Sequence, residues 1–204
     1  MSLQFINIPP ATGETPTGLI ILLHGWGANC QDLASLIPFL QLHNYQFLCP
    51  DAPFPHPYQP GGKMWYNLEF EDVEGLEKSQ KLLKDWLISL ENTTNVPLSR
   101  TILSGFSQGG AMTLDVGLSL PLAGLVSMSG YLHSKPQLLE NHKLPVLIMH
   151  GRQDPIVPLS AAHQARSGLT ALGLSVQYQE FNMGHEIQPE EINLMRDFIS
   201  NAIG

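Results

Sequence analysis

Arg100-Thr101-Ile102-Leu103-Ser104-Gly105-Phe106-Ser107-Gln108-Gly109-Gly110 is the stretch whose reading decides the fold. Its first seven residues read as a short buried strand, and Gly110 to Leu120, rich in Ala, Met and Leu, reads as a helix. A serine on so tight a strand-to-helix corner is held in a strained backbone conformation with its hydroxyl exposed at the end of the sheet. Glycines two residues to either side are needed because side chains there would collide. The helix starting at the serine aims free N–H groups and its positive dipole end at any negative charge that develops beside the hydroxyl.

Gly105-Phe106-Ser107-Gln108-Gly109 resembles the nucleophile elbow of α/β-hydrolases. A serine hydroxyl is a weak nucleophile at its free pKa, so it needs a base, and the base needs a third group to orient it. That resemblance implies the chain order serine, acid, histidine. His24, His43 and His56 precede Ser107 and fail on order; His142 and His163 lie in polar or helical stretches that suit a solvated surface. His133 follows a strand but has no strand-end acid near it, and His150 closes Pro145-Val146-Leu147-Ile148-Met149 as a packed strand-end residue. His185, in the loop after Ser175 to Phe181 and before the last helix, is the expected base, because α/β sheets place their ligand crevice at strand C-terminal ends.

The acid is expected from the loop after the preceding strand, where Gly151-Arg152-Gln153-Asp154-Pro155-Ile156-Val157-Pro158 supplies Asp154. The competing reading of Asp154 is a turn-forming residue before proline. Asp115 and Asp197 read as ordinary helix-face charges. The expected triad is Ser107, Asp154 and His185. The apolar strand Gly18 to Leu23 runs into His24-Gly25-Trp26-Gly27, so the oxyanion hole is expected from the backbone amides of Trp26 and Gln108, with His24 as a structural residue of that loop.

Leu23 to Gly27, Cys49-Pro50-Asp51-Ala52-Pro53, Trp65-Tyr66-Asn67, Gly105 to Gly110, Asp154 to Pro158 and Gly184-His185 together resemble the phospholipase/carboxylesterase family, which includes acyl-protein thioesterases and small bacterial carboxylesterases. The resemblance spans nearly the whole chain in the family's order. It departs at Trp26, where the family usually has Leu, and at Ala28, Asn67 and Arg152, where it usually has Asp; none of these touches the triad. It implies a serine hydrolase of carboxylic esters or thioesters working through an acyl-enzyme, with a small-molecule or lipid-like acyl ester, acylated protein included, as substrate. The alternatives are a lysophospholipase-type lipid deacylase and a non-catalytic α/β-hydrolase fold that binds a small ligand.

Composition agrees with this class. A chain of 204 residues, 43% hydrophobic and 14% charged, can bury a large core, and residues 1–204 are read as one α/β-hydrolase domain with no separate cap. Strand signals alternate with helix signals over Gln31 to Leu42, Glu74 to Leu90, Gln108 to Leu118, Leu159 to Leu172 and Glu190 to Ala202, which predicts a mainly parallel sheet with helices on both faces. A net charge of −8 argues against nucleic acid and anionic membrane surfaces as partners, and apolar runs fall well short of the ~20 residues a membrane span needs. Two cysteines, Cys30 and Cys49, and no secretory pattern at the start point to a cytoplasmic protein without a disulfide framework. No cofactor, metal or phosphate-binding motif is present. Oligomeric state is left open.

Ala52 to Leu68, with four prolines and several aromatic residues, is longer than the ~12–15 residues beyond which a structureless loop is usually functional. It reads as an ordered apolar flap whose Phe54, Met64 and Trp65 contact the acyl group. The alternative is a proline-rich connection that Trp65 anchors to the core.

Overall fold

A computed structural model describes residues 3–136, 138–139 and 143–203. Seven strands, β1 (Phe5–Ile8), β2 (Leu19–Leu23), β3 (Gln46–Pro50), β6 (Thr101–Phe106), β7 (Gly124–Met128), β8 (Val146–Gly151) and β9 (Val176–Phe181), form one sheet in the order β1-β3-β2-β6-β7-β8-β9. Every neighbouring pair is parallel except β1 with β3. Two further short strands, β4 (Phe54–Pro55) and β5 (Lys63–Met64), make a separate antiparallel ribbon within the proline-rich segment.

The central strands are buried, apart from Phe106 at the end of β6, because both faces of the sheet are covered. Alternation then sorts their side chains. Leu19, Ile21, Leu23 and Leu103 pack with α3 (Val73–Thr94), α4 (Gln108–Gly117) and α5 (Leu159–Ala171). Ile20, Leu22, Ile102 and Val126 pack on the other face with α1 (Cys30–Ala34), α2 (Ile37–Leu40) and α6 (Pro189–Ile203). The chain leaves β2 through α1 and α2 towards β3, and leaves β6 through α4 on the opposite face towards β7. The strand order therefore reverses between β2 and β6, and a crevice opens at their C-terminal ends. Ser107 and the His24–Gly27 loop stand at that point.

The expected helix over Gln31 to Leu42 is two short ones. Pro38 has no N–H for the Ala34 carbonyl and its ring would collide there, so α1 stops at Ala34 and a new turn starts at Ile37. Gln41 then takes φ 55° and ends α2. The helix expected over Glu74 to Leu90 is extended at both ends, from an N-cap at Asp72 whose carboxylate accepts the Gly75 N–H to Asn95 at φ 57°. No described helix is long and apolar enough to cross a membrane.

Glu191, in the first turn of α6, is fully buried, and its Oε1 meets no hydrogen-bond partner among the described residues. Burial, with Glu186 adding to it against the Gln188 N–H bond, pushes its carboxyl from an ordinary 4.5 up to about 7. The native state keeps this proton over a pH window in which the unfolded chain has lost it, so stability falls as pH rises from 4.5 to about 7 and stays lowered above. Glu191→Gln mimics the protonated form. Urea denaturation is expected to find it matching the parent chain near pH 4.5 and exceeding it at pH 8 by on the order of 1–3 kcal/mol. Equal stability at pH 8 would remove Glu191 as the source of the slope.

Candidate active site

Ser107 lies between β6 and α4 with φ 55° and ψ −118°, a conformation an L-residue holds only under constraint. The corner around it leaves no room for side chains: a Cβ on Gly105 would sit 2.2 Å from the Gly109 carbonyl oxygen, and one on Gly109 2.2 Å from that of Leu23. The Ser107 N–H donates to the Met128 carbonyl at 2.8 Å, which ties the corner to the end of β7.

Three expected residues come together from three loops. His185 Nε2 lies 2.9 Å from Ser107 Oγ, and His185 Nδ1 lies 2.7 Å from Asp154 Oδ2. The carboxylate can only accept, so Nδ1 carries the proton and the Nε2 lone pair faces the serine O–H. The other Asp154 oxygen accepts the Ile156 and Val157 N–H groups, both at 2.8 Å. Asp154 therefore performs both roles weighed for it, closing its own turn with Oδ1 and holding His185 with Oδ2. Burial alone would raise its carboxyl; the bonds from His185, Val157 and Ile156 outweigh burial and hold it below the usual value. The Phe106 ring packs on the His185 ring with centroids 4.8 Å apart.

The His24–Gly27 loop runs against this corner, since a Cβ on Gly25 would stand 3.3 Å from Ser107 Cβ. Among the described residues the Trp26 amide meets no acceptor, and Gln108, first in α4, has no carbonyl of its own helix to bond. His24 is buried, donates from Nδ1 to the Gly25 carbonyl at 2.8 Å and accepts the Ala52 N–H on Nε2 at 3.0 Å. Burial lowers its pKa, so it stays neutral in this bracing role. The ribbon adds a second brace: the Gly27 N–H donates to the Lys63 carbonyl and the Lys63 N–H to that of Ala28.

Of the expected acyl contacts, Trp65 needs correction. Trp65 is 0% exposed; its indole N–H donates to the His24 carbonyl at 3.0 Å and its own N–H to Gln108 Oε1 at 2.9 Å. It anchors the segment in the core and has no surface to offer a ligand. Phe54 and Met64 face each other across the ribbon. A cavity of about 370 Å³ that contains Ser107 is instead lined by Leu68, Tyr131, Leu132, Ile156, Val157 and Ala161. Two of these signals were readable: Ile156-Val157 follows Asp154-Pro155, and Tyr131-Leu132 follows the C-terminal end of β7.

Asp115 also needs correction. It is not a solvated helix-face charge: its side chain is 9% exposed and its carboxylate is hydrogen-bonded to His133 Nδ1. His133 Nε2 meets the Tyr66 hydroxyl rather than Ser107, so this second acid–histidine pair is separate from the serine. His150 packs at its strand end as expected, 2.8 Å from the Val157 carbonyl, and His163 sits on the surface beside Glu180. His142 lies outside the described residues. Among the described residues no group of three or more metal-ligating side chains is gathered.

The profile of the family described as Phospholipase/Carboxylesterase matches residues 10–203. Acyl-protein thioesterase 1 of Gibberella zeae is 30% identical, with 96% of this chain and 94% of that protein covered. Acyl-protein thioesterase 1 homolog 2 of Dictyostelium discoideum is 32% identical, with 93% and 95% covered. Among solved structures, esterase PE8 superposes with a TM-score of 0.90 at 29% identity over 99% of this chain and 100% of that one.

The placement of Trp65 has a measurable consequence. Trp65→Ala should lower the free energy of unfolding in urea by roughly 3–5 kcal/mol, because it empties a core site and strands the His24 carbonyl. Phe54→Ala, on the partly exposed ribbon, should cost far less. Comparable losses for the two would contradict the anchor.

Proposed function

The chain belongs to the phospholipase/carboxylesterase family, and within it we propose that Ser107, His185 and Asp154 are the catalytic triad of a serine hydrolase of carboxylic esters and thioesters. The observation that carries this reading is the unbroken chain Ser107 Oγ, His185, Asp154, at 2.9 and 2.7 Å, standing on the strained corner between β6 and α4.

The chemistry follows from the atoms. Ser107 Oγ attacks the acyl carbonyl carbon while His185 Nε2 takes its proton, and Asp154 balances the imidazolium that forms. The carbonyl π pair moves onto oxygen, where the Trp26 and Gln108 amides and the N-terminal end of α4 receive the charge. His185 then returns the proton to the departing oxygen or sulfur, leaving an acyl-serine. Water, deprotonated by the same nitrogen, releases the acid and restores Ser107.

The apolar cavity beside Ser107 suits an acyl chain. Its rim is apolar too: Leu68 and Ile156 are 47% and 67% exposed, so a lipid-like group can pass from an aggregate or an acylated protein without crossing a polar collar. Acylated protein and lipid-like esters are therefore the proposed substrates, as the names of the thioesterase relatives suggest. Cys30 and Cys49 are free thiols, and burial pushes Cys49 up to about 12, an unreactive pair that fits the proposed cytoplasmic setting.

A fluorophosphonate that labels the parent chain should fail on Ser107→Ala, whose ester turnover should fall by on the order of 10⁶-fold, with His185→Ala about as damaging. Asp154→Asn should lose on the order of 10⁴-fold in kcat, by favouring the wrong imidazole tautomer. Asp115→Asn should keep the labelling. Labelling that survives in Ser107→Ala would overturn the assignment of the nucleophile.

A further inference from the structure

Tyr66, Tyr131, His133 and Asp115 form a second hydrogen-bonded chain that ester hydrolysis at Ser107 does not use. Tyr66 comes from the segment after β5, Asp115 from α4, and Tyr131 and His133 from the loop after β7. The Tyr66 hydroxyl lies 2.5 Å from that of Tyr131 and 2.5 Å from His133 Nε2. His133 Nδ1 is bonded to Asp115 Oδ2, which also accepts Gln80 Nε2 at 2.9 Å. Both tyrosine rings meet the His133 ring edge-on, with centroids 4.9 and 5.1 Å away.

Asp115 gives this chain a direction. Its carboxylate only accepts, so His133 carries its proton on Nδ1 and offers the Nε2 lone pair to the Tyr66 O–H. The Tyr66 oxygen in turn accepts the Tyr131 O–H. Burial raises the pKa of both phenols, which keeps the two protons in place. The Tyr131 ring cannot turn without breaking a bond in a shielded site, where an unpaired polar group costs more than in water.

The far end of the chain is the cavity wall. Tyr131 lines the Ser107 cavity, and Leu132 beside it lines both that cavity and a larger one of about 620 Å³ between α3 and α4. Asp115 lines the larger one. Leu132 is thus a partition between the two spaces, packed against the core, and Tyr131 beside it is pinned by the polar chain.

We propose that Tyr66, His133 and Asp115 are positioning residues that latch this partition, and that the latch limits the length of acyl chain the Ser107 cavity accepts. This rests on reading Ser107 as the residue that is acylated. The larger space is lined mostly by charged and polar side chains such as Lys81, Lys84 and Asp85, so it is not itself the acyl site. Releasing the latch lets the wall at Tyr131 and Leu132 draw back towards it, and chains too long for the Ser107 cavity gain room while an acetyl group gains nothing.

The test is a comparison of p-nitrophenyl acetate, butyrate and octanoate on the parent chain, Tyr66→Phe, His133→Leu, His133→Gln and Tyr131→Phe, with phosphonate labelling of Ser107 measured on each. For Tyr66→Phe and His133→Leu, acetate kcat and the labelling rate should stay within about twofold. Their octanoate-to-acetate ratio of kcat/KM should rise roughly tenfold, through KM, as a change in pocket fit equivalent to a methylene or so allows. Tyr131→Phe, which removes one hydroxyl and keeps the ring, should raise the octanoate-to-acetate ratio in the same direction and covers the case in which Tyr66→Phe does not fold. His133→Gln should keep the parent profile, because its amide can donate to Asp115 and accept from Tyr66. The double variant Tyr66→Phe/His133→Leu should change no more than the larger single one, since both break one chain. An unchanged length profile in labelled variants, equal losses on all three esters, or His133→Gln behaving like His133→Leu would overturn the latch. A parent chain that phosphonate does not label would overturn the hydrolase reading itself, and the latch with it.

Discussion

The left-handed backbone of Ser107 is the constraint on which the rest of the site depends. At φ 55° the serine turns the chain from β6 into α4 within one residue, so the helix opens immediately after its hydroxyl. That turn needs a close approach of backbones at Gly105 and Gly109, where added Cβ atoms would fall 2.2 Å from carbonyl oxygens. One of those oxygens belongs to Leu23, at the end of β2. The serine corner and the start of the His24–Gly27 loop are therefore set by shared close packing, and neither can move without the other.

Gln108 extends this control outward. Its backbone opens α4, while its side chain, fully buried, accepts the Trp65 N–H at 2.9 Å and donates to the Tyr66 carbonyl at 2.8 Å. Trp65 then holds the His24 carbonyl, and His24 holds Ala52. A closed circuit of buried hydrogen bonds thus runs from the residue after the serine, through the proline-rich segment, back to the loop that faces the serine. Such a circuit holds the free amides in place before a ligand arrives, which is what electrostatic stabilisation of a developing charge requires.

The sheet, its two covered faces, and the trio Ser107, Asp154 and His185 were legible because each rests on a local pattern plus chain order. Apolar runs mark strands buried on both sides, and the strand-end loops carry the titratable residues. Two readings failed for one reason: they depend on where a side chain goes in space. Trp65 reads as an aromatic in a proline-rich flap, yet its indole reaches the His24 carbonyl across 41 residues of chain. Asp115 sits at a helix position that could face water, and only the loop after β7 folding over α4 buries it against His133. The break at Pro38 was a local signal, outweighed by the apolar run on either side of it.

The two acid–histidine pairs of this chain show how little the pair alone decides. In each, a carboxylate oxygen fixes the proton on Nδ1 and leaves a lone pair on Nε2. What differs is the third group. His185 faces a hydroxyl on a strained corner, at the edge of a cavity and beside amides that meet no acceptor among the described residues. His133 faces the Tyr66 hydroxyl, which Tyr131 closes from the other side. The first chain ends in an oxygen at a cavity, which is what the proposed attack on a carbonyl requires, with the Nε2 lone pair placed to take the serine proton. The second ends on the protein, so the same lone pair holds a tyrosine hydroxyl. On the proposed reading, chemistry at the one and rigidity at the other follow from whether the last oxygen has an open side.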